Sequence, residues 1–205
     1  MPVDHDRRLL FIHIPKTGGT TILTLLGLWK KERSPELRTL FGDFGSLDLQ
    51  HLTLRQAEQF LTAAEFSSYF RFAFVRNPWD RAVSAALWRT RFPGEGVRDL
   101  RDYVDWAERV NRIGPRQPPD CHALPQCAFL DGADGRPGVL NIGRFERYAE
   151  DVAAILGRFV PIPGPLPRKL PQLAREQYRE YFHGDLETRV GRLYAEDARR
   201  FGYRF

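Results

Sequence analysis

Arg8-Leu9-Leu10-Phe11-Ile12-His13-Ile14-Pro15-Lys16-Thr17-Gly18-Gly19-Thr20-Thr21 is the stretch that decides how this chain folds. Its first seven residues form an apolar run of strand length that Pro15 cuts off, as suits a strand buried in a parallel sheet. After the Lys16-Thr17-Gly18-Gly19 turn, Ile22, Leu25, Leu26 and Trp29 recur at three- and four-residue spacing, which predicts an amphipathic helix over residues 20–31. Strand, glycine turn and helix in direct succession open an α/β fold.

The rest of the chain repeats that alternation. Thr53-Leu54-Arg55-Gln56 has the form of a capping box and starts a helix carrying Ala57, Phe60 and Leu61 on one face. A second strand spans residues 69–75. Asn77-Pro78-Trp79-Asp80 then reads as cap, first-position proline and first-turn acid of a helix running to about Arg89. Helical spacing returns over residues 97–113, and a proline-rich loop over 114–125. A short strand follows at 138–142 and a helix at 145–159. Five prolines between Pro161 and Pro171 exclude regular structure, and residues 172–201 read as one or two helices. The expected architecture is a single α/β domain over residues 1–205, its mainly parallel sheet flanked by helices. Ligands in such folds sit beyond the carboxyl ends of the strands.

Composition narrows the class. With 205 residues, 42% hydrophobic and 28% charged, the chain can bury a core without disulfides or metals. No apolar run approaches the roughly 20 residues that cross a bilayer. The opening Met1-Pro2-Val3-Asp4 lacks the pattern of a secretory signal, so a cytoplasmic location is expected. Cys121 and Cys127 are too few for a disulfide framework and are read as free thiols. The net charge of +5 favours anionic ligands. Arginine supplies nearly all of it, since lysine occurs only at 16, 30, 31 and 169.

Two segments carry the chemistry. The turn from Lys16 to Thr21 joins a strand end to a helix start, where amide N–H groups and the helix dipole favour a phosphate, Lys16 adds a full charge and Thr20 and Thr21 add hydroxyls. Its lysine precedes the glycines, unlike the Gly-x-x-x-x-Gly-Lys-Ser/Thr loop of ATP and GTP hydrolases. Arg76-Asn77-Pro78-Trp79-Asp80-Arg81-Ala82-Val83-Ser84 occupies the equivalent place after the second strand. There a guanidinium fork and a hydroxyl can hold a second phosphate.

Together these two segments resemble the donor-binding motifs of the carbohydrate sulfotransferase family, and the chain is similar to its soluble bacterial members. The resemblance continues in Pro125-Gln126, in Ile142-Gly143-Arg144-Phe145-Glu146, and in Tyr194-Ala195-Glu196-Asp197 through Phe201-Gly202-Tyr203. It implies a P-loop-like sulfotransferase fold and 3'-phosphoadenylyl sulfate as donor, without a metal. It also implies a carbohydrate or other hydroxyl-bearing acceptor rather than nucleic acid. Lys16, Thr17, Gly18, Gly19, Thr20 and Thr21 would hold the 5'-phosphosulfate, and Arg76 and Ser84 the 3'-phosphate. Arg168 and Lys169 are weaker candidates for folding over the nucleotide. Lys16 would stabilise the leaving phosphate.

The base for the acceptor hydroxyl is assigned to His51, two residues before the Thr53 cap, where a helix N-terminus favours the neutral imidazole. Glu32, Glu36, Asp43 and Asp48 are its rivals, while His13 reads as a packed strand residue and His122 lies in no motif. Two other functions compete: a nucleotide-dependent small-molecule kinase, which would need acidic magnesium ligands, and a non-catalytic binder of nucleotides or anionic glycans.

Overall fold

The computed structural model describes residues 3–28, 49–91, 96–115, 118–167 and 177–205. Four strands form one mixed sheet: β1 (Val3–Asp4), β2 (Leu9–Ile12), β3 (Phe70–Val75) and β4 (Asn141–Arg144), in that order. β1 runs antiparallel to β2, whereas β2, β3 and β4 are parallel. The register pairs Phe11 with Phe72, Phe74 with Gly143 and Val75 with Arg144. The carboxyl ends of the three parallel strands therefore emerge at one edge of the sheet, and they carry the His13–Lys16 segment, Arg76 and Phe145 there.

Alternation along the strands sorts the core into two faces. Leu9, Phe11, Phe72 and Phe74 pack with Ile22 and Leu23 of α1 (Gly19–Leu25) and with Val152 and Leu156 of the helix after β4. Leu10, Ile12, Ala73 and Val75 face the other way, onto Leu54, Ala57, Phe129, Leu130 and Phe201. A third cluster lies beside the sheet, where Ala82, Val83 and Ala86 meet Tyr103, Val104, Val190 and Tyr194.

The helices differ from the sequence expectation mainly at their ends, each time for a local reason. α1 stops at Leu25 rather than running to residue 31, because Gly27 adopts φ +73° and the Leu28 amide donates back to the Leu23 carbonyl at 2.8 Å. That is the glycine-based helix stop. The Thr53 capping box forms as expected, with Gln56 Oε1 accepting from the Thr53 amide at 2.9 Å, but α2 (Leu54–Ala57) is one turn long. A second capping box, Thr62 with Glu65, starts α3 (Ala63–Ser68) and was not foreseen.

α4 (Pro78–Arg89) has its expected cap, the Asn77 side chain accepting from the Trp79 amide at 3.0 Å. α5 (Leu100–Ile113) begins later than residue 97 because Asp99 caps it. The segment read as loop over 114–125 holds a 3-10 turn, Pro118–Ala123, followed by α6 (Cys127–Leu130). A further such turn, Phe145–Arg147, precedes α7 (Tyr148–Leu156). The C-terminal part folds as α8 (Leu186–Leu193) and α9 (Ala195–Phe201). No helix among the described residues is long and apolar enough to cross a membrane.

Candidate functional site

The chain leaves the sheet after β2 through a tight turn in which the Ile14 amide donates to the Ile12 carbonyl at 3.1 Å. Lys16 then takes the left-handed conformation, φ +69°, as does Gly18 at φ +92°. Reversals of this kind point successive amides the same way. Among the described residues, no acceptor meets the amides from Lys16 to Thr20, and no side chain caps α1.

Two protein side chains fill the spaces the glycines leave. A Cβ on Gly18 would lie 2.8 Å from the Tyr148 ring, and one on Gly19 would collide with the His13 imidazole. Tyr148 also donates from its hydroxyl to the Gly18 carbonyl at 2.6 Å. The glycines thus let Tyr148 and His13 brace the turn from within, a reason the sequence reading did not contain.

The threonines divide by role. Thr17 is buried and donates to the Ile14 carbonyl at 2.9 Å, so its hydroxyl holds the turn together. Thr21 donates to the Pro167 carbonyl at 2.8 Å. Thr20 is half-buried, and its hydroxyl has no described partner. Arg168 and Lys169 follow directly on Pro167 and lie outside the described residues, as do Glu32, Glu36, Asp43 and Asp48.

Arg76 joins the second segment to the first. Its Nε and one terminal nitrogen donate to the two Asp80 carboxylate oxygens at 2.7 Å each, and the other terminal nitrogen donates to the Lys16 carbonyl at 3.2 Å. Three of its five N–H bonds are engaged, leaving one on each terminal nitrogen. The guanidinium lies 4.1 Å over the Phe145 ring. Its backbone is clamped by Gln126, whose side chain accepts from the Arg76 amide and donates to the Arg76 carbonyl, both at 2.8 Å.

Gln126 is itself held from the C-terminal helix. Buried Asp197 accepts from the amides of Gln126 and Cys127 at 2.8 and 2.9 Å, and from the Cys127 thiol at 2.7 Å. Burial, with Asp197 beside it, pushes the Cys127 thiol pKa up, so it is a packing thiol. Neither Cys121 nor Cys127 is in a disulfide.

Asp80, Ser84 and Trp88 follow at four-residue spacing on α4 and share one face. Asp80 meets Arg76 at one end of this line, and the Lys16 ammonium lies 5.5 Å from the Trp88 ring centroid at the other. Ser84 sits between them, half-buried and without a described partner. Burial, then Arg76 and Arg91, lowers the Lys16 pKa to about 8. The lysine is crowded by positive charge, and an anion would relieve it.

Beyond Trp88 the structure gathers three histidines that sequence distance had hidden. Trp88 stacks on His122 with ring centroids 4.5 Å apart; His122 meets His51 edge-on at 5.3 Å; His51 lies 4.3 Å from His13. His51 donates from Nδ1 to the His13 carbonyl at 2.7 Å. The Gln50 amide nitrogen lies 3.3 Å from His13 Nδ1, which puts the His13 proton on Nε2, the nitrogen beside Gly19. Burial, with the neighbouring His51, holds the pKa of His13 and of His122 well below the ordinary imidazole value. No set of His, Cys, Asp or Glu among the described residues is arranged to hold a metal ion.

The structure thus sets Lys16, Arg76, Ser84 and His51, the candidates read from the sequence, among Trp88, His122, Tyr148 and His13, which that reading had not placed there. Trp88 was legible, being four residues beyond Ser84 on the same face. His122 was not, since it reaches the site from a turn that carried no periodic signal. Comparison with curated proteins and with solved structures returned no match. A family model, described as "Sulfotransferase family", matches residues 1–204, nearly the whole chain. The chain belongs to the sulfotransferase family.

Proposed function

We propose that this chain is a single-domain, cytoplasmic sulfotransferase that moves a sulfuryl group from 3'-phosphoadenylyl sulfate to a hydroxyl of a carbohydrate or glycoconjugate. Family membership supports sulfotransferase activity in general. The observation that carries the choice of donor is the 3.2 Å hydrogen bond from the Arg76 guanidinium to the Lys16 carbonyl. It brings the two anion-favouring segments into one site, as a nucleotide with phosphates at both ribose ends requires. The amides of the turn, which meet no acceptor among the described residues, and the lowered Lys16 pKa fit such a ligand.

In this reading Lys16, Thr20 and the amides from Lys16 to Thr20 bind the 5'-phosphosulfate. Thr17, Gly18, Gly19 and Thr21 shape the turn, and Arg76 with Ser84 binds the 3'-phosphate. His51 acts as base. A carbonyl can only accept, so the bond to His13 fixes the His51 proton on Nδ1 and leaves the lone pair on Nε2. As the acceptor oxygen bonds to sulfur, its proton passes to Nε2. The bond from sulfur to the 5'-phosphate oxygen breaks, and Lys16 neutralises the charge left on that oxygen. Arg168 and Lys169 are proposed only as additional contacts to the nucleotide.

Incubation with donor labelled in sulfur across an array of glycans tests the reading. Label should reach an acceptor in step with release of adenosine 3',5'-bisphosphate, and Lys16→Ala should abolish it. Transfer of a phosphoryl group from ATP instead would identify a kinase, and tight nucleotide binding without any turnover a binding module.

A further inference from the structure

Three of the four positions after β4, Phe145, Glu146 and Tyr148, between them touch both anion-favouring segments. The Phe145 ring lies 4.1 Å beneath the Arg76 guanidinium. Glu146 accepts from the Asn77 amide at 2.6 Å, just ahead of α4, and from the Tyr203 hydroxyl at 2.9 Å. Tyr148 donates to the Gly18 carbonyl at 2.6 Å and packs against the face of Gly18 that bears no side chain. Its ring rests on Phe74 of β3, with centroids 5.1 Å apart, and on Phe145 at 5.5 Å. The β4–α7 turn is therefore one continuous brace between the sheet and two loops that are 60 residues apart in sequence.

We infer that Phe145 and Tyr148 are positioning residues for donor binding, Phe145 setting the Arg76 guanidinium for the 3'-phosphate and Tyr148 setting the Lys16–Thr20 turn for the 5'-phosphate. The inference rests on the donor assignment above. An arginine is long and flexible, and its side chain loses rotamer freedom when fixed. Phe145 below and Asp80 beside it remove that freedom before a ligand arrives, which is the general route to affinity by preorganisation. Tyr148 does the same for a turn with two residues at positive φ.

The two contacts act at opposite ends of the nucleotide, so they are separable by ligand. Calorimetry on the full chain would compare adenosine, 5'-AMP, 3'-AMP and adenosine 3',5'-bisphosphate. Tyr148→Phe, which removes only the hydroxyl, should weaken 5'-AMP and the bisphosphate roughly three- to tenfold and leave 3'-AMP unchanged. Phe145→Leu should weaken 3'-AMP and the bisphosphate by a similar factor and leave 5'-AMP unchanged. Phe145→Tyr, which keeps the ring, should retain wild-type affinity for 3'-AMP. Equal losses for all phosphorylated ligands, or none, in variants with wild-type melting would overturn the inference while the donor assignment stands. A wild-type chain that binds the phosphorylated ligands no better than adenosine would overturn the donor assignment and the brace with it.

Discussion

His51 donates its Nδ1 hydrogen to the backbone carbonyl of His13 at 2.7 Å, so the neutral ring keeps its lone pair on Nε2. Because the acceptor is main chain, no side-chain replacement at position 13 removes it directly, and the tautomer is set by the fold. His51→Ala should lower sulfuryl turnover by about 10²- to 10⁴-fold, the usual cost of losing a general base. Affinity for adenosine 3',5'-bisphosphate should stay near wild type, since Lys16, Arg76 and Ser84 are untouched. A variant that loses nucleotide affinity instead, or keeps full turnover across the pH range, shows that His51 is not the base.

Lys16 gives a proton-linked signature. With its pKa near 8 in the free protein, part of the population is uncharged in mildly alkaline solution. A bound 5'-phosphate favours the ammonium, so the pKa rises in the complex and binding takes up a proton between the two values. Calorimetry at pH 8.5 in buffers of different ionisation enthalpy should detect uptake that is absent at pH 6.5. Affinity should fall as pH rises above 8. Lys16→Ala should remove both effects, whereas unchanged proton uptake in that variant would assign the linkage to another group.

The histidine cluster should make the fold acid-sensitive. His13 and His122 are held neutral well below the ordinary imidazole value of 6.5, while in the unfolded chain they titrate near it. The unfolded state therefore binds more protons below that pH, and stability, full above it, falls as pH drops toward the lowered folded values. The slope is about 1.4 kcal/mol per pH unit for each such group. Denaturant unfolding at pH 8, 6 and 5 should show the fall, and His122→Phe should reduce its slope by roughly half. A pH-independent His122→Phe difference would show that His122 does not contribute to it.

Legibility in the sequence followed periodicity. β2, β3, α4 and the Thr53 box were readable because each is set by residues within one or two turns. Gly27 was also a readable stop, overlooked because the apolar spacing continues past it to Leu28 and Trp29. What could not be read was tertiary. Gln126 clamps Arg76 across 50 positions, and Asp197 holds Gln126 across 71. The Pro125-Gln126 and Glu196-Asp197 motifs supported the family resemblance without showing that they form one network behind Arg76. Likewise His13 sits in a buried strand end that pattern assigns to packing. Only the approach of His51, Gln50 and Gly19 makes it part of the site.

Gly18 tests the turn itself. At φ +92°, with the Tyr148 ring 2.8 Å from where a Cβ would stand, Gly18→Ala meets both backbone strain and a rigid ring. A destabilisation of about 1–3 kcal/mol is expected, read as a lower melting temperature, together with loss of affinity for 5'-phosphorylated ligands. Wild-type melting and affinity in this variant would show that Tyr148 can withdraw without cost.

Binding calorimetry that compares adenosine 3',5'-bisphosphate with 5'-AMP tests whether one site holds phosphates at both ends of a nucleotide. Arg76 and Ser84 can add charge-assisted hydrogen bonds to the 3'-phosphate, each worth about 1.5–3 kcal/mol. The bisphosphate should therefore bind at least roughly tenfold more tightly, and Arg76→Ala should shrink the difference to what Ser84 alone supplies. Equal affinity of the wild-type chain for the two ligands would contradict the account.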